Sequence, residues 1–393
     1  MFGKGIRLFK LFGFEVRIDA SWLLLAILII LSLSTGHFPV QYENLSTWQY
    51  AVMGVLGAVG LFASIIFHEL WHSLIARRHG IPMKGISLFI FGGVAHMEDE
   101  STEPKAELLM AVAGPIASVV LGVVFYGIYR GGAFLGWPQL VTGVLQYLAW
   151  INVILACFNL LPAFPLDGGR ILRAALWGWK DDLKWATRIS STIGSGFGVA
   201  LIILGILALL AGSFIGGLWW CLIGMFLRGI SHASYRQVVV KGALRGEKVR
   251  RFMREDPVTV APDVTLDTLV NDYVYEYHFK MFPVVDDEGR LHGCVTTRNI
   301  KEVDRDKWPS TTVDHVAKGC DEGNTVTPDT DASDALATMN KSQNSRLMVV
   351  EGDELRGVIS LKDMLEFLAL KLDLEDEDSE RDFIRKALAD VGA

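Results

Sequence analysis

Six long apolar stretches constrain this chain more than any other feature. They lie near residues 18–36, 50–78, 107–129, 139–162, 187–211 and 214–235 of a 393-residue sequence. Each approaches the roughly 20 residues that a helix needs to cross a bilayer. A backbone in lipid must satisfy its own polar groups, so the stretches are predicted to be helices packed in a bundle. The region after residue 241 is different in kind. Residues 1–241 contain 17 Lys/Arg and 12 Asp/Glu, a net charge of +5, whereas residues 242–393 contain 20 and 32, a net charge of −12. The first region has the composition of a membrane domain and the second that of a soluble one. Residues 1–17 are amphipathic and basic, and the apolar run after them is long enough to span, so a cleaved signal peptide is not expected.

Composition also excludes several classes. With 51% hydrophobic and 21% charged residues the chain is too apolar to be disordered. Its four cysteines, Cys157, Cys221, Cys294 and Cys320, are too few for a disulfide scaffold and read as reduced thiols. The overall net charge of −7 argues against a nucleic-acid partner.

Basic residues set the expected orientation. Lys4, Arg7, Lys10 and Arg17 precede the first stretch. Arg77, Arg78, Lys84 and Lys105 lie between the second and third, and Arg170, Arg173, Lys180, Lys184 and Arg188 between the fourth and fifth. The other connections hold only Arg130. All basic connections fall on one side, which is predicted to be cytoplasmic. Both termini and the acidic region then lie in the cytoplasm of a multi-pass cell-membrane protein.

The second stretch contains His68-Glu69-Leu70-Trp71-His72. Ionisable residues inside a span are costly and mark function by default. His68 and His72 are four apart, so a helix puts both imidazoles on one face with Glu69 beside them. In this H-E-x-x-H arrangement the imidazoles bind zinc and the carboxylate serves the water that the metal activates. A hydrogen-bonded polar cluster between helices is the bland alternative. His68 is nine residues from Arg77, which places it about 14 Å inside the membrane at helical rise.

Two imidazoles do not complete a zinc site. The fourth stretch runs into Asn159-Leu160-Leu161-Pro162-Ala163-Phe164-Pro165-Leu166-Asp167-Gly168-Gly169-Arg170. Pro162 and Pro165 prevent a regular helix there, and irregular backbone at membrane depth must be buried in protein or line a cavity. Asp167 is the natural third ligand; the alternative is an Asp that caps the helix after it.

Together these motifs resemble the site-2 protease family of intramembrane zinc metalloproteases. That family carries H-E-x-x-H in one span and an N-x-x-P-x-x-x-D-G-type segment in a later one. Ala113-Gly114-Pro115-Ile116-Ala117-Ser118 resembles the family's G-P-x-A-N signature, with Ser118 where Asn is common. The resemblance covers about residues 1–240. It implies that His68, His72 and Asp167 bind one zinc ion per chain and that Glu69 is the general base. It further implies that Asn159 hydrogen-bonds the substrate backbone or the oxyanion. The segment from Lys84 to Met97, broken by Gly92-Gly93, is β-branched and aromatic and too short to span, so it reads as a hairpin or re-entrant strand. Similar family segments pair with an unwound transmembrane substrate, which makes Phe91, Gly92, Gly93 and Val94 the candidate substrate-binding residues.

The acidic region contains a repeat. Phe282-Pro283-Val284-Val285 and Gly293-Cys294-Val295-Thr296-Thr297-Arg298-Asn299 have counterparts in Arg346-Leu347-Met348-Val349-Val350 and Gly357-Val358-Ile359-Ser360-Leu361-Lys362-Asp363. Gly293 and Gly357 are 64 residues apart. Each copy reads strand–helix–strand–strand–helix. The repeat resembles a tandem pair of cystathionine-β-synthase-type (CBS) domains, which implies either adenine-nucleotide sensing (ATP, ADP or AMP) or dimerisation. The family's ribose pattern, G-h-h-[ST]-x-x-D, is matched by Ser360 and Asp363. The first copy has Thr296 but Asn299 in place of the acid. The acidic run from Asp373 to Asp382 reads as a solvated end.

The expected architecture is therefore a polytopic α-helical membrane protein of about six transmembrane helices with a re-entrant β-hairpin, followed by a cytoplasmic α/β CBS pair. The expected boundaries are 1–241 for the protease domain, 242–250 for a linker, 251–308 and 309–372 for the CBS domains, and 373–393 for the tail. The expected activity is hydrolysis of a peptide bond in or near a transmembrane segment of another protein, within the lipid bilayer, by a homo-oligomer paired through its CBS domains. A CBS-gated transporter or channel and an inactive zinc-binding scaffold are the alternatives. The first would favour repeated halves, which residues 1–241 lack; the second has no chemical need for Glu69.

Overall fold

Residues Phe14–Ile18 alternate apolar and charged side chains, and this period of two folds as a strand. In the computed structural model, which describes residues 6–374 except 82, 90–91, 98–102, 320–322 and 343, β1 (Ile6–Leu11) and β2 (Phe14–Ile18) form an antiparallel hairpin. They turn at Phe12-Gly13, where both φ angles are positive, at 49° and 90°, as a two-residue hairpin turn requires. β2 pairs in parallel with β3 (Met83–Phe89), and β3 pairs antiparallel with β4 (Gly92–Met97). The expected hairpin at 84–97 is thus half of a four-stranded sheet in the order β1-β2-β3-β4. The amphipathic N-terminus supplies the other half.

The chain divides into two compact units, Met1–Tyr235 and Arg236–Ala393. Among the described residues, six helices are long and apolar enough to cross a membrane. α1 (Ala20–Ser32) continues through a π-turn at Leu33–His37 into α2 (Phe38–Gln41), and these form one span. The others are α3 (Thr47–Arg78), α4 (Pro104–Phe134), α5 (Gln139–Asn159), α7 (Leu183–Leu210) and α8 (Phe214–Leu244). All six match the expected stretches to within a few residues at most ends, and α8 runs on to Leu244. Leu23, Leu24, Ile27 and Leu31 of α1 are about half exposed, the outward apolar surface of a helix solvated by lipid.

α3 starts at a reciprocal cap between Ser46 and Gln49 and ends with Arg77 and Arg78 in its last turn, where cations complement the helix dipole. It packs on α4 and α5. The helix α6 (Asp167–Lys180) follows the irregular Leu160–Leu166 segment and packs on α4 and α7. It is too short to span.

The second unit holds the repeat. In the second copy β7 (Thr325–Val326), β8 (Arg346–Glu351) and β9 (Glu354–Ser360) form a sheet with α12 (Ala332–Ser342) and α13 (Leu361–Leu374). The first copy has β5 (Met281–Val285), β6 (Leu291–Thr296) and α11 (Thr297–Lys301). A helical segment built from α9 (Leu266–Thr268), a π-turn and α10 (Tyr275–Tyr277) precedes them. Its expected first strand shrinks to one parallel bridge, Val260 to Val284, where the second copy has a two-residue strand.

The copies exchange edges. Arg254, at the start of the first copy, exchanges both backbone hydrogen bonds with Val358 of the second, and Lys318, near the start of the second copy, does so with Cys294 of the first. The repeated glycines sit at these crossings. A Cβ on Gly293 would come within 2.3 Å of the Lys318 carbonyl oxygen, and one on Gly357 within 2.4 Å of the Arg254 oxygen. Their spacing of 64 residues in the sequence records that crossing.

Candidate metal centre

Three helices bring the site together. His68 and His72 lie on one face of α3, buried at 3% and 8% exposure. Asp167 is the first residue of α6 and joins them across 99 positions of sequence. His68 Nε2 is 3.0 Å from Asp167 Oδ2, His72 Nε2 is 3.3 Å from the same oxygen, and the two Nε2 atoms are 3.1 Å apart. The carboxylate of Asp167 therefore turns to the imidazoles and leaves the capping position to Leu166, which makes no side-chain cap.

The far side of each ring sets its chemistry. His72 Nδ1 lies 2.7 Å from the Met110 carbonyl oxygen of α4, so this nitrogen carries the proton and donates. In the neutral ring Nε2 is then a bare lone pair that faces inward. His68 Nδ1 lies 2.8 Å from Ser118 Oγ, also on α4. With Nδ1–H donating to Ser118, His68 presents its own lone pair as well. With both protons on Nδ1, two imidazole nitrogens and a carboxylate oxygen point acceptors at one another, an arrangement that repels itself unless a cation sits among them. Ligand atoms of tetrahedral zinc at about 2.0–2.1 Å lie about 3.3 Å apart. The observed separations of 3.0–3.3 Å match, so the three residues fit zinc.

α4 is shaped for this. Met110, Gly114 and Ser118 recur every four residues on one face, opposite His72 and His68. A Cβ on Gly114 would lie 2.2 Å from His72 Nε2 and 2.6 Å from His68 Nε2, so the missing side chain is the space that the rings occupy. The sequence flagged the Gly-Pro segment but not these roles. The signal was present in the matching four-residue spacing of 68/72 and 110/114/118.

The two glycines after Asp167 have a related use. A Cβ on Gly168 would meet the Leu160 carbonyl oxygen at 2.2 Å, and one on Gly169 the Phe164 nitrogen at 2.3 Å. The first turn of α6 can lie against the preceding loop only without side chains there, and this contact delivers Asp167.

Glu69 follows His68 directly on α3. A Cβ on Gly93 of β4 would come within 3.0 Å of its Cγ, so the strand passes beside the carboxylate. Gly92, Gly93 and Val94 pair with Phe89, Leu88 and Ser87 at the edge of the sheet. Phe91 lies outside the described residues, as do residues 375–393 of the acidic tail. Asn159 ends α5 and donates its amide to the Leu155 carbonyl oxygen at 3.0 Å.

The expected nucleotide residues are helix caps. Thr296 and Asn299 form a reciprocal cap at α11. Ser360 and Asp363 do the same at α13, where the Ser360 hydroxyl donates to Asp363 Oδ2. Asp363 Oδ1 also accepts from Arg254 Nε at 3.1 Å and Nη2 at 2.9 Å. Among the described residues, His68, His72 and Asp167 are the one group of three such side chains whose ligand atoms lie within 4.8 Å of one another.

Comparison with known proteins places this geometry. The model of peptidase family M50 matches residues 56–140 and 136–205, and that of the CBS domain matches residues 249–306 and 324–370. A Synechocystis sp. protein with a zinc metalloprotease name is 34% identical over 88% of this chain and 91% of its own length. A zinc metalloprotease of Methanocaldococcus jannaschii is 32% identical over 95% of this chain and 98% of its own. The solved site-2 protease from Methanocaldococcus jannaschii aligns at 30% identity over 58% of this chain and 94% of that one, with a TM-score of 0.41. The chain belongs to peptidase family M50, as a multi-pass zinc metalloprotease of the site-2 protease type with a C-terminal pair of CBS domains.

Proposed function

We propose that His68, His72 and Asp167 hold one zinc ion, and that Glu69 is the base for hydrolysis of a peptide bond in or near a transmembrane segment of another protein. One observation carries this reading: two imidazole nitrogens and a carboxylate oxygen from α3 and α6 lie 3.0–3.3 Å apart, with Glu69 next to His68 on the same helix. Zinc, when bound, polarises the scissile carbonyl and activates water at neutral pH. Glu69 takes the proton of the attacking water and returns it to the leaving nitrogen. Asn159, at the end of α5, steadies the substrate backbone or the oxyanion. Asp167, in the first turn of α6, has its negative charge favoured by the helix dipole.

The substrate must be extended before its peptide bond is accessible. β4 is an edge strand with an open side next to Glu69, so residues 91–94 receive it as an added strand. The basic connections orient the site, both termini and the CBS pair to the cytoplasm. The second CBS copy, through Ser360 and Asp363, binds an adenine nucleotide that modulates cleavage, and the first copy binds less well because Asn299 lacks the charge. The CBS pair also joins two chains into a dimer.

The test is cleavage of a single-span substrate in liposomes by wild type and Glu69→Gln, with zinc measured in each. The expected result is full zinc content and a loss of cleavage of at least about 100-fold in the variant. Cleavage at the wild-type rate by Glu69→Gln would remove Glu69 from the mechanism.

A further inference from the structure

We propose that Arg173 is a positioning residue for the metal centre, acting on Asp167 through Glu107 and Phe164; the inference rests on the reading of Asp167 as a ligand. Arg173 lies six residues after Asp167 on α6. Its Nε and Nη2 donate to Glu107 Oε1 of α4 at 2.7 and 2.5 Å. Both side chains are buried, at 9% and 1% exposure, and the second Glu107 oxygen is buried without a partner. The guanidinium also lies 5.0 Å from the centre of the Phe164 ring, in the loop that delivers Asp167.

A buried ion pair is weak as a stabiliser, because desolvating two charges offsets most of their attraction. Leaving one carboxylate oxygen unsatisfied makes this pair worse still. Its position supplies the reason for keeping it. Glu107 is one turn before Met110, whose carbonyl takes His72 Nδ1–H. The contacts therefore close a ring: His72 to Met110, along α4 to Glu107, across to Arg173, along α6 to Asp167, and back to His72. Cutting the ring at the ion pair frees α6 to slide on α4 while the histidines stay fixed by α4. Phe164 is held from other sides too, since its carbonyl accepts from the Ser231 hydroxyl. The planar guanidinium serves both contacts at once, with its fork on Glu107 and its face on Phe164, which a lysine cannot do.

The experiment measures zinc affinity of the purified full-length protein by competition with a chromophoric chelator, together with thermal unfolding of the zinc-free protein. Four proteins are compared: wild type, Asp167→Ala, Arg173→Lys, and the double variant Glu107→Leu/Arg173→Met. The double variant removes both buried charges, so the zinc-free protein is expected to unfold at or above the wild-type temperature. Its zinc affinity is expected to fall about 10–100-fold, as for other residues that orient ligands. Arg173→Lys is expected to fall between the two. Wild-type affinity in the double variant, with affinity lost in Asp167→Ala, would overturn the role of Arg173 and leave the ligand assignment standing. Wild-type affinity in Asp167→Ala would overturn the ligand assignment and the inference with it. Should the double variant not fold, Arg173→Lys decides: weakened binding supports the role and unchanged binding overturns it.

Discussion

Asp167 and Asp363 both sit in the first turn of a helix, with side chains 13% and 12% exposed, yet their neighbours are of opposite kinds. Around Asp363 every close partner is a donor: the Ser360 hydroxyl and backbone N–H, and the Arg254 guanidinium. That carboxylate is satisfied by the protein itself. Around Asp167 the close partners are the Nε2 atoms of two imidazoles, at least one of which spends its proton on the opposite side, on the Met110 carbonyl. A carboxylate facing lone pairs calls for a cation. A buried acid is thus read from what surrounds it. The membrane unit supplies acceptors around one point, while the second unit supplies donors.

The largest expected break in that contrast comes from Gly114→Ala. The added methyl would occupy the position 2.2 Å from His72 Nε2 and must push the rings apart. Zinc affinity is expected to fall by at least about 100-fold and proteolysis with it, measured by chelator competition and substrate cleavage. Ser118→Ala is gentler. It leaves His68 Nδ1 without its 2.8 Å partner, which loosens the ring and its tautomer. An affinity loss of about 10–100-fold is expected; Ser118→Asn, with a side chain that can replace the hydroxyl, is expected to retain more.

In the second unit the same kind of change should act on stability and leave zinc alone. Gly293→Ala and Gly357→Ala each force a backbone carbonyl away from 2.3–2.4 Å, at a cost of about 1–3 kcal/mol in the unfolding of that unit. The exchange is symmetric, so the two should cost alike; a change at one site only would show that the two crossings are not equivalent. The smallest effect is expected from Arg254→Ala. Its side chain is 65% exposed, so the pair with Asp363 contributes at most about 1 kcal/mol, and the thermal midpoint should barely move. The same variant uncovers Asp363 Oδ1. Equilibrium dialysis with ATP is expected to show tighter binding than wild type, and weaker binding would mean that Arg254 itself contacts the nucleotide.

Much of this was legible because it rested on side chains at short range. The spacing of His68 and His72 needs only a helix to become a site, and the prolines before Asp167 announce the irregular segment that carries it. The six spans follow from length and apolarity. The rest rests on partners that a sequence does not display. The Met110 carbonyl is backbone, and any residue there would read alike. Gly114 acts through an atom that it lacks. The β2–β3 pairing joins residues about 70 positions apart in parallel, and the alternation in Phe14–Ile18 is only five residues long. The crossed edges at Gly293 and Gly357 leave a repeat spacing in the sequence, but the exchange appears only once both copies are folded.

The most direct test of the central claim is metal content. Purified wild type should contain one zinc per chain by elemental analysis, Glu69→Gln should contain the same, and His68→Ala should contain none. Wild type without zinc, or His68→Ala with a full complement, would contradict the assignment of the His68, His72 and Asp167 cluster as the catalytic zinc site.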